Sequence, residues 1–213
     1  MFNLGEYQTL ICAKKVDFGI YLEEENSVEH ERILLPKKQV PESIEIGDKL
    51  EVFIYKDSDD RFIATTKKPL AGLGKLGVLN VIQVNKMGAF LDWGLEKDLF
   101  LPFKEQTRRV KPGENVLVAV YIDKSKRLCA TMNVYKYLSS ASPYKPGDEV
   151  SGTIYEDSEN YGYFVAVDNA FQGIIPKKEA YGDLEIGKVI NGRVTTVRDD
   201  GKLNLRVREK FDL

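Results

Sequence analysis

Three glycines divide this chain into copies of one pattern. Gly19, Gly88 and Gly162 each sit in a strand-like apolar run with an aromatic two residues later, Tyr21, Phe90 and Phe164. Each run leads to an apolar stretch closed by proline: Ile33-Leu34-Leu35-Pro36, Phe100-Leu101-Pro102 and Ile174-Ile175-Pro176. Eleven residues beyond each proline stands a glycine, Gly47, Gly113 and Gly187. Fourteen residues later come Arg61 and Arg127, with Lys202 one position further along in its copy. Punctuation repeated at a period of roughly 70 residues means tandem copies of one small domain. The copies are assigned to residues 1–68, 73–137 and 144–210. A triplicated module without catalytic groups is built to hold something rather than to transform it.

Units of about 70 residues lie near the lower limit for a self-sufficient core, and two cysteines supply no disulfide framework. Cys12 and Cys129 fall in apolar runs of different copies and read as core fillers. His30, the single histidine, stands among Glu23, Glu24, Glu25, Glu29 and Glu31 and reads as a solvated loop residue. One histidine and two scattered cysteines assemble no zinc or redox site; no cofactor and no metal are expected. No apolar run is long enough to span a bilayer, and the N-terminus lacks the basic and apolar regions of a signal peptide. A soluble, cytoplasmic monomer is expected. The net charge of −2 is unevenly spread. Residues 1–72 carry ten Lys and Arg against fourteen Asp and Glu, residues 73–143 eleven against six, and residues 144–213 ten against thirteen. Bulk charge therefore favours a polyanion at the middle copy alone.

The local signals are for strands. Leu50-Glu51-Val52-Phe53-Ile54-Tyr55 and Val116-Leu117-Val118-Ala119-Val120-Tyr121 are rich in β-branched and aromatic residues. Asp59-Asp60 and Asp199-Asp200-Gly201 read as hairpin turns before a last strand. A polar segment after each proline has room for one helical turn. Four or five short strands with one such excursion predict an all-β fold: three tandem OB-fold, five-stranded barrels, which closure protects from edge pairing. Lys67–Gly72 and the serine-rich Ser139–Pro143 read as connectors, the second flexible by composition.

Tyr161-Gly162-Tyr163-Phe164-Val165, then Gly173-Ile174-Ile175-Pro176, then Ile186-Gly187, resembles the S1 domain, an RNA-binding OB barrel named after a bacterial ribosomal protein. The second copy shows Met87-Gly88-Ala89-Phe90-Leu91 and the first Phe18-Gly19-Ile20-Tyr21-Leu22. Each of these two ends with an aspartate four residues before its arginine: Asp57 before Arg61, Asp123 before Arg127. The resemblance covers nearly the whole chain. It implies single-strand recognition, in which bases stack on rings at about 1–3 kcal/mol each while cations follow the phosphates. The candidate contacts are Phe18, Tyr21, Lys37, Lys38 and Arg61 in the first copy. In the second they are Phe90, Lys104, Arg108, Arg109 and Arg127, and in the third Tyr161, Phe164, Lys177, Lys178 and Lys202.

Two aromatics three residues apart point to opposite faces of a regular strand. The glycine between them permits a bulge that brings both to one surface; the alternative is one ring in the core and one exposed. Trp93 reads equally as an extension of the ring track or as core. The family pattern's histidine is replaced by Pro36, Pro102 and Pro176, and Met87 stands where the second copy's first aromatic belongs.

Three S1 domains with these prolines are similar to the bacterial conserved virulence factor B group. Membership implies binding to single-stranded RNA and a non-enzymatic role in post-transcriptional or translational gene regulation. It also implies a winged-helix domain after the third barrel, where this sequence stops; truncation is the expected reason. The competing expectation is a protein-interaction scaffold, since OB barrels host many functions and the charge balance is slightly acidic. An enzyme finds little support: no P-loop, nucleophile elbow or histidine triad is present, and Asp57, Asp59 and Asp60 read as turn residues.

Overall fold

A computed structural model describes residues 1–208, in which fifteen strands close into three barrels of five. Glu209 and Lys210, assigned above to the third copy, lie outside the described residues. The first barrel comprises β1 (Tyr7–Val16), β2 (Gly19–Glu23), β3 (Ile33–Pro36), β4 (Lys49–Lys56) and β5 (Phe62–Thr65). The second comprises β6 (Leu76–Val84), β7 (Gly88–Asp92), β8 (Leu99–Pro102), β9 (Asn115–Ile122) and β10 (Leu128–Thr131). The third comprises β11 (Glu149–Ser158), β12 (Gly162–Val167), β13 (Phe171–Pro176), β14 (Val189–Val197) and β15 (Leu203–Val207).

All three share one topology: a meander of three strands, then the fifth strand parallel to the third, then the fourth closing back onto the first. After each proline the expected helical turn is a single 3₁₀ turn, Lys37–Gln39, Phe103–Glu105 and Lys177–Glu179. No helix among the described residues is long and apolar enough to cross a membrane.

The fourth strands explain how the barrels meet. On β4, Val52 and Ile54 point into the first barrel's core, while Phe53 and Tyr55, on the opposite face, join the core of the second. Phe53 meets Trp93, which follows β7, edge to face with ring centroids 5.8 Å apart. Each fully buried side chain of this size contributes about 1.5–3 kcal/mol. On β9, Val116, Val118 and Val120 face inward, while Leu117 and Ala119 pack with Leu138 and with Ala166 of β12. Strand β14 instead alternates, burying Ile190, Gly192 and Val194 and exposing the residues between them. The unbroken apolar runs of the first two copies are thus strands covered on both faces.

Neither connector is a free tether. In the first and the two residues after it, the N–H groups of Leu70, Leu73 and Gly74 donate to the carbonyls of Trp93, Gly5 and Val120 at 2.8, 3.1 and 2.8 Å. In the second, Ser139 donates to the Ala170 carbonyl at 2.8 Å and accepts from the Gln172 N–H at 3.0 Å. Ser139, the first residue of that serine-rich connector, is thereby tied along the start of β13.

Candidate nucleic-acid interface

The ring-bearing surface is shaped by one irregularity repeated in every barrel. The first strand slips register against the second between Cys12 and Lys14, between Val81 and Gln83, and between Ile154 and Glu156. The bulge therefore lies on the first strand, opposite the second aromatic of each motif, and not at the glycine. The glycine has a different task. Gly162 has φ +120°, and an added Cβ would sit against the Ile175 carbonyl oxygen and 3.0 Å from the Lys177 nitrogen. Only a residue without a side chain lets the aromatic turn lie this close to the lysine-bearing turn. In the first barrel the same closeness is closed by a hydrogen bond, the Lys37 N–H donating to the Phe18 carbonyl at 3.0 Å.

In the first barrel, Phe18 and Tyr21 do share a surface, their rings perpendicular with centroids 6.2 Å apart. Lys37 and Lys38 stand exposed beside them. Arg61 is exposed but engaged by its own turn, with Nε 3.3 Å from Asp57 Oδ2 and Nη2 3.1 Å from Asp59 Oδ2. Burial alone would raise the Asp57 carboxyl, but backbone N–H donors from Arg61 and Asp59 and the Arg61 guanidinium outweigh it and hold the group below its ordinary range.

The second barrel's face is walled by the first. Phe90 packs on Phe100 with centroids 5.2 Å apart. Both line a cavity that also takes Tyr55 and Lys56 from the first barrel. Arg127 lies here, its Nε 3.5 Å from Asp60 Oδ1 of the first barrel. Trp93 is only 2% exposed and donates from Nε1 to the Lys97 carbonyl at 2.7 Å, so of its two readings the buried one holds. Arg108 and Arg109 lie away from this cavity. Arg108 pairs with Glu114 at 2.7 Å and lines the junction with the third barrel, while Arg109 covers the Phe103 ring at 4.2 Å. Lys104 is exposed on its 3₁₀ turn.

The third barrel gathers the fullest set. Tyr161 and Phe164 line one cavity of about 360 Å³ with Lys202 and Arg198. The bulge residue Tyr155 stacks on Phe164, centroids 6.1 Å apart and planes 24° apart. A fourth ring arrives from outside the barrel. Tyr135, on a 3₁₀ turn after β10, meets Phe164 edge to face at 6.4 Å and accepts a 2.6 Å hydrogen bond from Lys202 Nζ. Lys177 and Lys178 are exposed on their own turn and do not line this cavity. Tyr135, Tyr155 and Arg198 escaped the sequence reading. The bulge position offers Ala13 and Ile82 in the other copies, so the repeat carried no aromatic signal there, and Tyr135 lies where the reading ended a domain.

Among the described residues no group of three His, Cys, Asp or Glu is placed to hold a metal ion. Burial raises the Cys12 thiol and pushes Cys129 up to about 12, so neither is a ready nucleophile.

The S1 domain model matches residues 4–67 and 73–133. The chain belongs to the S1-domain family. The third barrel lies outside those matches but repeats their strand order. The uncharacterized protein YitL of Bacillus subtilis is 30% identical over 211 residues, covering 94% of this chain and 69% of YitL. Conserved virulence factor B of Staphylococcus aureus is 21% identical over 172 residues, 76% of this chain and 57% of that relative. This S1 chain and those two proteins form one group. A solved multidomain protein with nucleic acid binding domains, from Streptococcus pneumoniae, has the same fold: TM-score 0.59 at 20% identity, covering 97% of this chain and 74% of that one.

Proposed function

We propose that this S1 chain binds single-stranded RNA without catalysing a reaction, as part of post-transcriptional or translational gene regulation. One observation carries the reading: Tyr155, Tyr161 and Phe164 of the third barrel and Tyr135 from the turn after β10 line one open cavity with Arg198 and Lys202. Rings offering their faces beside cations are what unpaired bases and their phosphates require. The Phe18–Tyr21 pair with Lys37 and Lys38 offers a second, smaller version, and the solved relative described as having nucleic acid binding domains supports the same class of ligand. RNA is preferred over DNA on the family resemblance, since stacking alone does not distinguish them.

Fluorescence anisotropy with a labelled single-stranded RNA, titrated across salt, tests this. The expected result is binding that weakens as salt rises. It should drop by about 1–3 kcal/mol for each ring that stacks when Phe18, Tyr21, Tyr161 and Phe164 are changed to Ala. Absence of binding at low salt by the folded wild type would transfer the assignment to a protein-interaction scaffold.

A further inference from the structure

One row of residues changes character from barrel to barrel. Where the first strand pairs with the fourth and the fourth with the fifth, the first barrel carries Tyr7, Phe53 and Thr65. At the same register positions the second carries Leu76, Ala119 and Thr131, and the third Glu149, Arg193 and Arg206. In the first two copies the middle residue is apolar and buried against the following barrel, Phe53 in the core of the second and Ala119 beside Ala166 of the third. In the third copy it is an arginine with a second arginine directly opposite, their side chains 63% and 62% exposed. Like charges directly opposite each other on paired strands repel, and the carboxylates beside them give little relief. Glu149 Oε1 lies 3.1 Å from Arg208 but 3.9 Å from Arg193, and Glu179 Oε2 lies 3.9 Å from Arg206. Arg193, Arg206 and Arg208 border a cavity of about 320 Å³ that shares no residue with the ring cavity of the same barrel.

We propose that this face of the third barrel, made by β14 and β15, is a second surface for RNA, one that holds the phosphodiester backbone and reads no base. The inference rests on the RNA-binding reading above and extends it to a cavity lined by no aromatic residue. Three guanidinium groups around one carboxylate, Glu149, leave positive charge in excess, so the occupant is an anion. A guanidinium is a planar fork of five N–H donors that stays charged and meets phosphate oxygens two at a time. A phosphate between Arg193 and Arg206 turns their repulsion into a bridge. Residues 144–213 are net acidic and hold four arginines, yet three of them border this one cavity. A path leads there from the rings. Glu179, which Arg206 approaches, closes the turn that bears the exposed Lys177 and Lys178. The Lys177 nitrogen lies 3.0 Å from where a Cβ would stand on Gly162, the residue after Tyr161. A strand leaving the Tyr161 ring therefore meets the two lysines first and the arginine pair next. That continuity with the ring-bearing surface favours a nucleic-acid backbone over an acidic protein segment.

The experiment gives the two arginines the residues that the second barrel carries in their place, Arg193→Ala together with Arg206→Thr. Anisotropy follows two labelled single-stranded RNAs across a salt series. One has about four nucleotides, the lower end of what one OB fold holds, and the other is about five times longer. The short strand should bind variant and wild type alike, because the rings are untouched. The long strand should bind the variant about 2- to 30-fold more weakly, the scale of two exposed ion pairs. Its log–log salt slope should fall by about 1.4, two phosphates at about 0.7 each. The variant's Tm should hold or rise, since a like-charged pair is gone, and Phe164→Ala should weaken both strands. Equal binding of the long strand by both proteins would overturn the arginine face, leave the RNA-binding reading standing and pass the face to an acidic protein segment. Equal losses for both strands, or a fall in Tm alongside the loss, would assign the pair to the ring site or to the fold and overturn the proposal as well. Failure of the wild type to bind either strand would remove the RNA-binding reading first, and this inference with it.

Discussion

Tyr135→Ala separates a composite binding face from three independent barrels. The residue lies between the second and third barrels, so a domain-by-domain view gives it no part in binding. Its ring is 44% exposed and touches Phe164 by one edge contact. An aromatic pair of this kind is worth about 0.5–1.5 kcal/mol, and the exposed Lys202 bond adds little to stability. The fold should therefore lose about 1 kcal/mol, a fall in Tm of about 2–4 °C for a chain of this size. Binding should suffer more. If one base stacks on Tyr135, its removal costs about 1–3 kcal/mol, which weakens Kd about 5- to 150-fold. Anisotropy with labelled single-stranded RNA, alongside a thermal melt, measures both quantities on one sample. Tyr135→Phe keeps the ring and gives up only the acceptor for Lys202, so most of the affinity should return. Wild-type binding by Tyr135→Ala, with Phe164→Ala impaired, would refute the composite face.

Other expectations concern the scaffold. Gly162→Ala drives a Cβ into the Ile175 carbonyl, whereas Gly47→Ala, at φ +94° with open space around it, meets only left-handed strain; denaturant unfolding should show about 1 kcal/mol lost at Gly47 and distinctly more at Gly162. Trp93→Ala should cost about 3–5 kcal/mol and loosen the first junction, seen as faster proteolysis at the Lys67–Gly72 connector. The Asp57 carboxyl is held below its ordinary range, so its stabilising effect is full above about pH 4 and fades as pH falls through its folded-state value. The stability gap between wild type and Asp57→Ala should accordingly shrink in acid unfolding curves, and a gap that widens would contradict the assigned hydrogen bonds.

The barrels were legible because their signals are local. Glycine, aromatic, proline and turn aspartate recur at fixed spacing, and each acts within a few residues of its own position. The pairing of Phe18 with Tyr21 was legible for the same reason, although the bulge that accompanies it sits on the neighbouring strand. What the repeat could not convey is whatever breaks the repeat. Trp93 and Tyr135 act across junctions, and periodicity describes a module without saying which face meets the next. A signal was nonetheless present: Leu50–Tyr55 and Val116–Tyr121 fail to alternate, while Val189–Val197 does. The charge count was blind for a related reason: a sum over residues 73–143 does not convey that Arg108 is paired with Glu114 and Arg127 with an acidic loop of the first barrel.

Phe53 also ties folding to the timing of synthesis. Its outer face is completed by Trp93, which leaves the ribosome about 40 residues later. At about 5–20 residues per second the nascent first barrel waits about 2–8 s with that aromatic paired with the Tyr7 ring but without Trp93. During this interval it is a small sheet with an exposed ring, the kind of species chaperones recognise. Slow translation between residues 53 and 93 would lengthen the interval and lower the yield of soluble chain, while leaving the finished protein unchanged.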